Sequence, residues 1–152
     1  MKQIKGDFLG KGKKIAIVIS RFNELISKRL LAGCLETLKK CGTDDKNISV
    51  YWSPGAFEIP QILSKLQVNK FDAVVTLGAV IRGDTPHFEY ISSEVAKGVA
   101  KVAQDKKIPV AFGIITADTI EQATERSGTK QGNKGSDAAF SALEMANLYN
   151  QL

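Results

Sequence analysis

Histidine is almost missing from this chain: of 152 residues, only His87 carries an imidazole. Cysteine is nearly as scarce, with Cys34 and Cys41 alone. One histidine and two separated cysteines do not make a Cys/His metal cluster, so bound zinc is not expected. The two cysteines fall on one helical pattern, about 10 Å apart at 1.5 Å rise per residue. That is too far for a disulfide. No apolar run reaches the ~20 residues of a membrane span. The N-terminal stretch from Met1 to Phe8 lacks the apolar region of a secretory signal. A reducing, cytoplasmic setting without membrane attachment is expected.

Several ligand-binding signatures are also absent. There is no Gly-x-x-x-x-Gly-Lys-Ser/Thr phosphate loop and no Gly-x-Ser-x-Gly elbow. Gly10-Lys-Gly12 precedes a strand pattern rather than following one, so it is no dinucleotide fingerprint. The first strand pattern ends in Ser20-Arg-Phe-Asn23, too bulky for a flavin-phosphate loop and lacking the acidic cluster of a response-regulator-like domain. The formal charge is +5, yet the lysines are scattered. Only Lys11 to Lys14 and Lys39/Lys40 cluster, and no aromatic residue interleaves with them. That is a weak nucleic-acid footprint. The cations read as solvated faces, with a few available to an anionic substrate.

What is present is an ordinary globular composition in a chain the length of one domain, residues 1–152. Such a chain should bury about 68–70% of its unfolded surface, enough for a real core. Ile15 to Ile19 is a continuous apolar run, as expected for a strand buried on both faces. Leu25, Ile26, Leu30, Leu31, Leu35 and Leu38 then recur at helical spacing, and Gly42 marks the helix end. Ile48 to Trp52, Asp72 to Leu77 and Pro109 to Ile115 read as three further strands. Between them lie a short helix with Pro60 in its first turn and a long helix from Phe88 to Lys106. Phe88, Ile91, Val95 and Val102 form a narrow stripe on the long helix, suited equally to packing on another helix or to covering a sheet. Ile120 to Arg126 and Ala138 to Leu148 complete the helices, around a polar glycine-rich turn from Ser127 to Gly135. Strands alternating with helices imply right-handed βαβ units, a four-stranded parallel sheet and a three-layer α/β/α sandwich. The segment before Lys14 alternates loosely and could be an edge strand or an arm laid on a partner.

In such a sheet the loops after the strands share one edge, where open α/β proteins bind ligands. That edge would gather Phe22-Asn23, Gly55 to Glu58, Gly78 to His87 and the segment after Phe112. Gly78 and Gly83 would allow positive φ or a close backbone approach. Pro86 suits the first helical position, which puts His87 near a helix N-terminus. Two phenyl rings, a carboxylate, a histidine and hydroxyls together suit a flat polar heterocycle stacked on an aromatic ring. Each alone has a duller reading: Phe57 as core, Glu58 as a helix first-turn charge, His87 as a surface residue.

Five stretches carry a resemblance that covers essentially Gly6 to Leu148. They are Arg21-Phe-Asn23, Pro54-Gly-Ala-Phe-Glu-Ile-Pro60, Gly78-Ala-Val-Ile-Arg-Gly-Asp-Thr-Pro-His87, Phe112-Gly-Ile and Arg126-Ser-Gly-Thr-Lys-Gln-Gly-Asn-Lys-Gly135. Together they resemble the lumazine synthase family. The resemblance implies a flavodoxin-like strand order and an N-terminal arm able to add to a neighbour's sheet. It implies condensation of 5-amino-6-(D-ribitylamino)uracil with 3,4-dihydroxy-2-butanone 4-phosphate, with neither metal nor cofactor. It also assigns roles. Phe22 would stack on the pyrimidine beside Asn23. The backbone at Ala56 and Phe57 would hold the uracil edge or ribityl chain, with Glu58 on ribityl hydroxyls. Ala79, Val80 and Ile81 would line the pyrimidine site. Gly83, Asp84 and Thr85 would frame the phosphate, and His87 would move protons. Phe112 would reach in from a neighbouring subunit, while Arg126 would pair with the phosphate and Lys134 would lie close by. Some relatives carry threonine or cysteine where Ala79 stands, but mostly backbone contacts are expected there. The family forms homopentamers, some closing into sixty-subunit shells, with riboflavin synthase a candidate partner. The alternatives from the residues are a non-catalytic heterocycle-binding module, which would not need His87 or Arg126, and a purely structural shell protein.

Overall fold

The computed structural model describes residues 1–130 and 132–152. Among them the chain forms four strands, β1 (Ile15–Ser20), β2 (Ile48–Ser53), β3 (Ala73–Ile81) and β4 (Val110–Ala117). Five α-helices accompany them: α1 (Glu24–Lys40), α2 (Ile59–Lys65), α3 (His87–Lys106), α4 (Ile120–Arg126) and α5 (Lys134–Tyr149). All strand pairs are parallel, in the order β2-β1-β3-β4. This is the flavodoxin-like arrangement, with helices on both faces.

Period-2 alternation sends the two sides of each strand into separate cores. Ile15, Ile17 and Ile19 of β1 pack with Val75 and Leu77 of β3 beneath α1 and α5. Ala16, Val18, Val74 and Ile114 face α2 and α3 on the other side. The stripe on α3 packs on both the sheet and α2: Val95 and Val99 are buried in one core with Val18, Val74, Ile59 and Leu63, while Phe88, Ile91 and Val102 are half-buried around them. Leu25 departs from its expected place in the α1 stripe and is 69% exposed. It lies in the first turn, ahead of the contact that begins at Ile26.

Helix α1 ends as Gly42 requires. Its φ of 94° lets the N–H of Thr43 reach Leu38 O at 2.9 Å and that of Gly42 reach Lys39 O at 2.9 Å, a Schellman closure. The first ten residues form no strand. They run along α5 of their own chain, where Asn147 Nδ2 donates to Asp7 O and Leu9 O, both at 3.0 Å. Phe8 meets Phe140 edge-on at 5.2 Å, and any side chain at Gly6 would run into the Glu144 carbonyl. Cys34 and Cys41 are both free thiols. Among the described residues no helix is long and apolar enough to cross a membrane.

Strand β3 is longer than its apolar run suggests. It continues through Gly78-Ala-Val-Ile81, paired with Ile114 to Ala117, so the loop at its end begins at Arg82. Neither Gly78 nor Gly83 has positive φ. Gly78 is there for space, because a β-carbon would collide with the Ser20 hydroxyl on β1. Gly83 has nothing within 4 Å of such a carbon.

Candidate active site

The carboxyl edge of the sheet opens into a cavity of about 830 Å³, within the range of small-molecule sites. Three loops build it. From β1, the Phe22 N–H donates to Pro54 O at 3.1 Å and that of Arg21 to Ser53 O at 2.8 Å. The loops after β1 and β2 are thus zipped together past the ends of their strands. Asn23 takes a left-handed φ of 59°, tolerable for asparagine. Its side chain donates to Ala79 O at 3.3 Å, tying the loop to β3. Phe22, freed of any core contact, stands 72% exposed on the rim.

After β2, Ser53 is buried and its hydroxyl donates to Gly55 O at 2.8 Å. One turn of 3-10 helix over Ala56–Glu58 follows. Glu58 folds back, and its Oε2 accepts the Gly55 N–H at 3.0 Å. The carboxylate is therefore half-buried and fixed in direction, with acceptor capacity remaining. Ala56 is buried beneath the cavity, and Phe57 is 47% exposed beside it.

After β3, Arg82 secures the loop. Its backbone N–H reaches Ala117 O at 2.9 Å. Its guanidinium bonds Asp118 Oδ1 at 2.8 Å and Glu89 Oε1 at 3.2 Å, and lies 4.6 Å from the Phe88 ring centre. The hydrogen bonds to Asp118 and Glu89 raise its already high pKa. Two carboxylates and an aromatic face already engage this cation, so it anchors the start of α3. Pro86 occupies the N-cap, one place earlier than its expected first helical position, and His87 opens the helix.

The cavity wall joins Phe22, Asn23, Ala56, Phe57, Glu58, Ala79, Val80, Ile81, Gly83, Thr85 and His87, eleven residues singled out in the sequence. Pro54, Gly55, Phe88, Tyr90 and Ile91 also line it. Tyr90 was legible as the residue three places after His87, on the same helical face. Four expected residues do not line this cavity: Asp84, Phe112, Arg126 and Lys134. Phe112 lies within β4 opposite Thr76, well short of the strand's carboxyl end, and is 46% exposed. The edge segment that follows β4 is Asp118-Thr119, not the residues next to Phe112. Arg126 ends α4, with Nη1 donating to Gln122 O at 3.0 Å. Lys134 opens α5 and pairs with Asp137 at 2.9 Å. Among the described residues no group of three or more His, Cys, Asp or Glu could hold a metal ion.

The fold and cleft define a parallel α/β protein with an open ligand site at the ends of its strands. The family model of 6,7-dimethyl-8-ribityllumazine synthase matches residues 12–150, and the chain belongs to this family. It is thus an enzyme family of riboflavin biosynthesis to which these residues belong.

Proposed function

We propose that this protein condenses 5-amino-6-(D-ribitylamino)uracil with 3,4-dihydroxy-2-butanone 4-phosphate, giving 6,7-dimethyl-8-ribityllumazine, phosphate and water, without a metal or organic cofactor. One observation carries the proposal in a chain of this family. Phe22, the fixed carboxylate of Glu58, Gly83, Thr85 and His87 share one cleft large enough for both substrates. In this reading Phe22 stacks on the pyrimidine and Asn23 holds its loop. The backbone at Ala56 and Phe57 meets the uracil edge, Glu58 takes ribityl hydroxyls, and Ala79, Val80 and Ile81 form the wall. Backbone N–H groups of Gly83, Asp84 and Thr85 face the phosphate.

The chemistry is acid–base work on two reactive partners. The pyrimidine 5-amino nitrogen attacks the ketone carbonyl and water leaves, forming an imine. A proton is lost from the adjacent carbon, and the C–O bond to phosphate breaks with departure of inorganic phosphate. After tautomerisation, the ribitylamino nitrogen closes on the remaining carbonyl, and a second water leaves. His87 is the imidazole in the cavity wall, the kind of side chain that accepts and returns protons in such steps.

Phe112, Arg126 and Lys134 act, on this proposal, at a neighbouring subunit's cleft. Their position outside their own cavity supports that, as do exposed apolar side chains at Leu25 (69%), Trp52 (45%) and Ile120 (61%). The assembly is a homopentamer, and sixty subunits form a closed shell in the cytoplasm. Riboflavin synthase, which consumes the product, is the candidate partner. Mixing both substrates with the protein should produce lumazine fluorescence and phosphate in equal amounts. Binding of the pyrimidine without turnover would make the protein a heterocycle-binding module instead. Light scattering should give the mass of the shell; a lone pentamer would refute the shell, and a monomer would refute both.

A further inference from the structure

We infer that Asn133 is a positioning residue that holds Arg126 and Lys134 in fixed relation for the phosphate of the four-carbon substrate; this rests on the proposed function. The two cations flank a glycine-bearing turn. Ser127, directly after Arg126, and Asn133, directly before Lys134, form its neck and pair as an isolated antiparallel bridge. The Asn133 side chain closes that neck, with Nδ2 donating to Ser127 O at 3.0 Å. The same nitrogen donates to Arg29 O of α1 at 3.0 Å. Its Oδ1 accepts the N–H groups of Gly135 at 2.8 Å and Ser136 at 3.2 Å, capping α5. Two carbonyls on one end and two N–H donors on the other leave a single orientation for the amide and use its donors fully.

One side chain therefore joins α1, the end of α4 and the start of α5. The surroundings are cut to fit it. A β-carbon at Gly33 of α1 would collide with the Asn133 amide, and one at Gly128, where φ is 119°, would crowd it at 3.1 Å. Gly135 sits so close to Leu30 O that it too admits no side chain. A helix cap needs only an acceptor oxygen. The donor half of Asn133, with two glycines clearing room for it, does what a cap does not require: it sets where Arg126 ends one helix and Lys134 begins the next. A misplacement of about 1 Å in such a clamp can cost 10²-fold in rate.

Asn133→Asp and Asn133→Ser separate the two roles. Both keep an oxygen for the cap, and neither can donate to both carbonyls; only the first adds charge. In the assembled enzyme, with each substrate varied separately, both variants should raise KM for the phosphate-bearing substrate by roughly tenfold or more. KM for the pyrimidine should stay within about twofold, below the unfolding temperature. Gly33→Ala carries the same test should the asparagine variants fail to fold. It improves helix propensity yet pushes the amide aside, and should show the same split. An aspartate variant with parental KM, or both KM values rising together, would overturn the inference. A parent protein that makes no lumazine would remove the proposed function itself, whereas an active parent with unaffected variants would remove only this role.

Discussion

The separation of Arg126 from its own chain's cleft leads to a prediction about mixed assemblies. His87 lines the cavity and Arg126 does not. If Arg126 serves the next subunit around a ring, each site draws one group from each side of a boundary. Head-to-tail contacts of this kind close into rings. Arg126→Ala alone should weaken the phosphate-bearing substrate far more than the pyrimidine. A charge-assisted contact to phosphate is worth about 1.5–3 kcal/mol, roughly 10- to 100-fold in affinity. Arginine suits the role because its planar fork matches phosphate oxygens and keeps its charge. His87→Ala and Arg126→Ala subunits are then unfolded, mixed in equal amounts and reassembled. With random placement, about one boundary in four pairs the intact His87 of one subunit with the intact Arg126 of the next. Turnover should recover toward about a quarter of the parental value per site, above the sum of the separate variants. Mass spectrometry of the intact assemblies checks that mixing occurred. If demonstrably mixed assemblies show no gain while each variant is clearly impaired, each subunit builds its own site and the reasoning fails.

Three other outcomes are expected. His87→Ala should lose rate toward the low end of the ~10²–10⁴-fold typical of a positioned acid–base group, since proximity of two reactive substrates supplies part of the catalysis; parental turnover at saturating substrate would sink the role. Burial pushes the Cys34 thiol from its ordinary 9.0 up to about 12, so between those values the unfolded chain sheds a proton that the folded chain keeps. Stability should therefore fall as pH rises through that window, by ~1.4 kcal/mol per unit. Urea titrations at pH 8 and 10, which bracket the start of that window, should show the parent losing about 1.4 kcal/mol more than Cys34→Ala; equal losses would refute the assignment. Gly78→Ala should destabilise by about 1–3 kcal/mol through overpacking against Ser20, and adding Ser20→Ala should recover most of it. The Ser20 hydroxyl is buried with no hydrogen-bond partner among the described residues, so its loss is cheap; additive melts would refute the clash.

The sequence made the sheet and the cleft legible for the same reason. Short β-branched apolar runs such as Ile15 to Ile19 fit strands buried on both faces, and parallel connection brings their following loops to one edge. Phe22, Glu58 and His87 lie far apart in the chain but are each next to a strand end or its helix, so topology alone brings them together. Their detailed tethers were not legible. That Glu58 turns back on Gly55, that Arg82 is engaged by Asp118 and Glu89, and that Gly78 makes room for Ser20 all depend on side-chain packing across strands. The end of β3 was misjudged because Gly78 breaks its apolar run, although the sheet tolerates a glycine where the neighbouring strand needs space. Leu25 has helical spacing for the core yet lies in the first turn of α1, just ahead of Ile26, where the core contact begins.

Phe112, Arg126 and Lys134 differ in kind. Their place in the chain's own fold keeps them out of the cavity that His87 lines, and no periodicity within one chain brings them to it. What the fold does give them is rigidity. Phe112 is held in a strand, Arg126 closes a helix, and Lys134 opens another behind a neck that Asn133 bonds to α1. A group that must serve another molecule cannot rely on its own cleft to orient it, so its support has to be complete before the partner arrives. The four hydrogen bonds of Asn133 supply that support at the turn flanked by Arg126 and Lys134. On the proposed function the cleft and this turn are the two halves of one site formed where two copies of the chain adjoin, so the reassembly experiment and the Asn133 variants probe the same geometry from opposite sides.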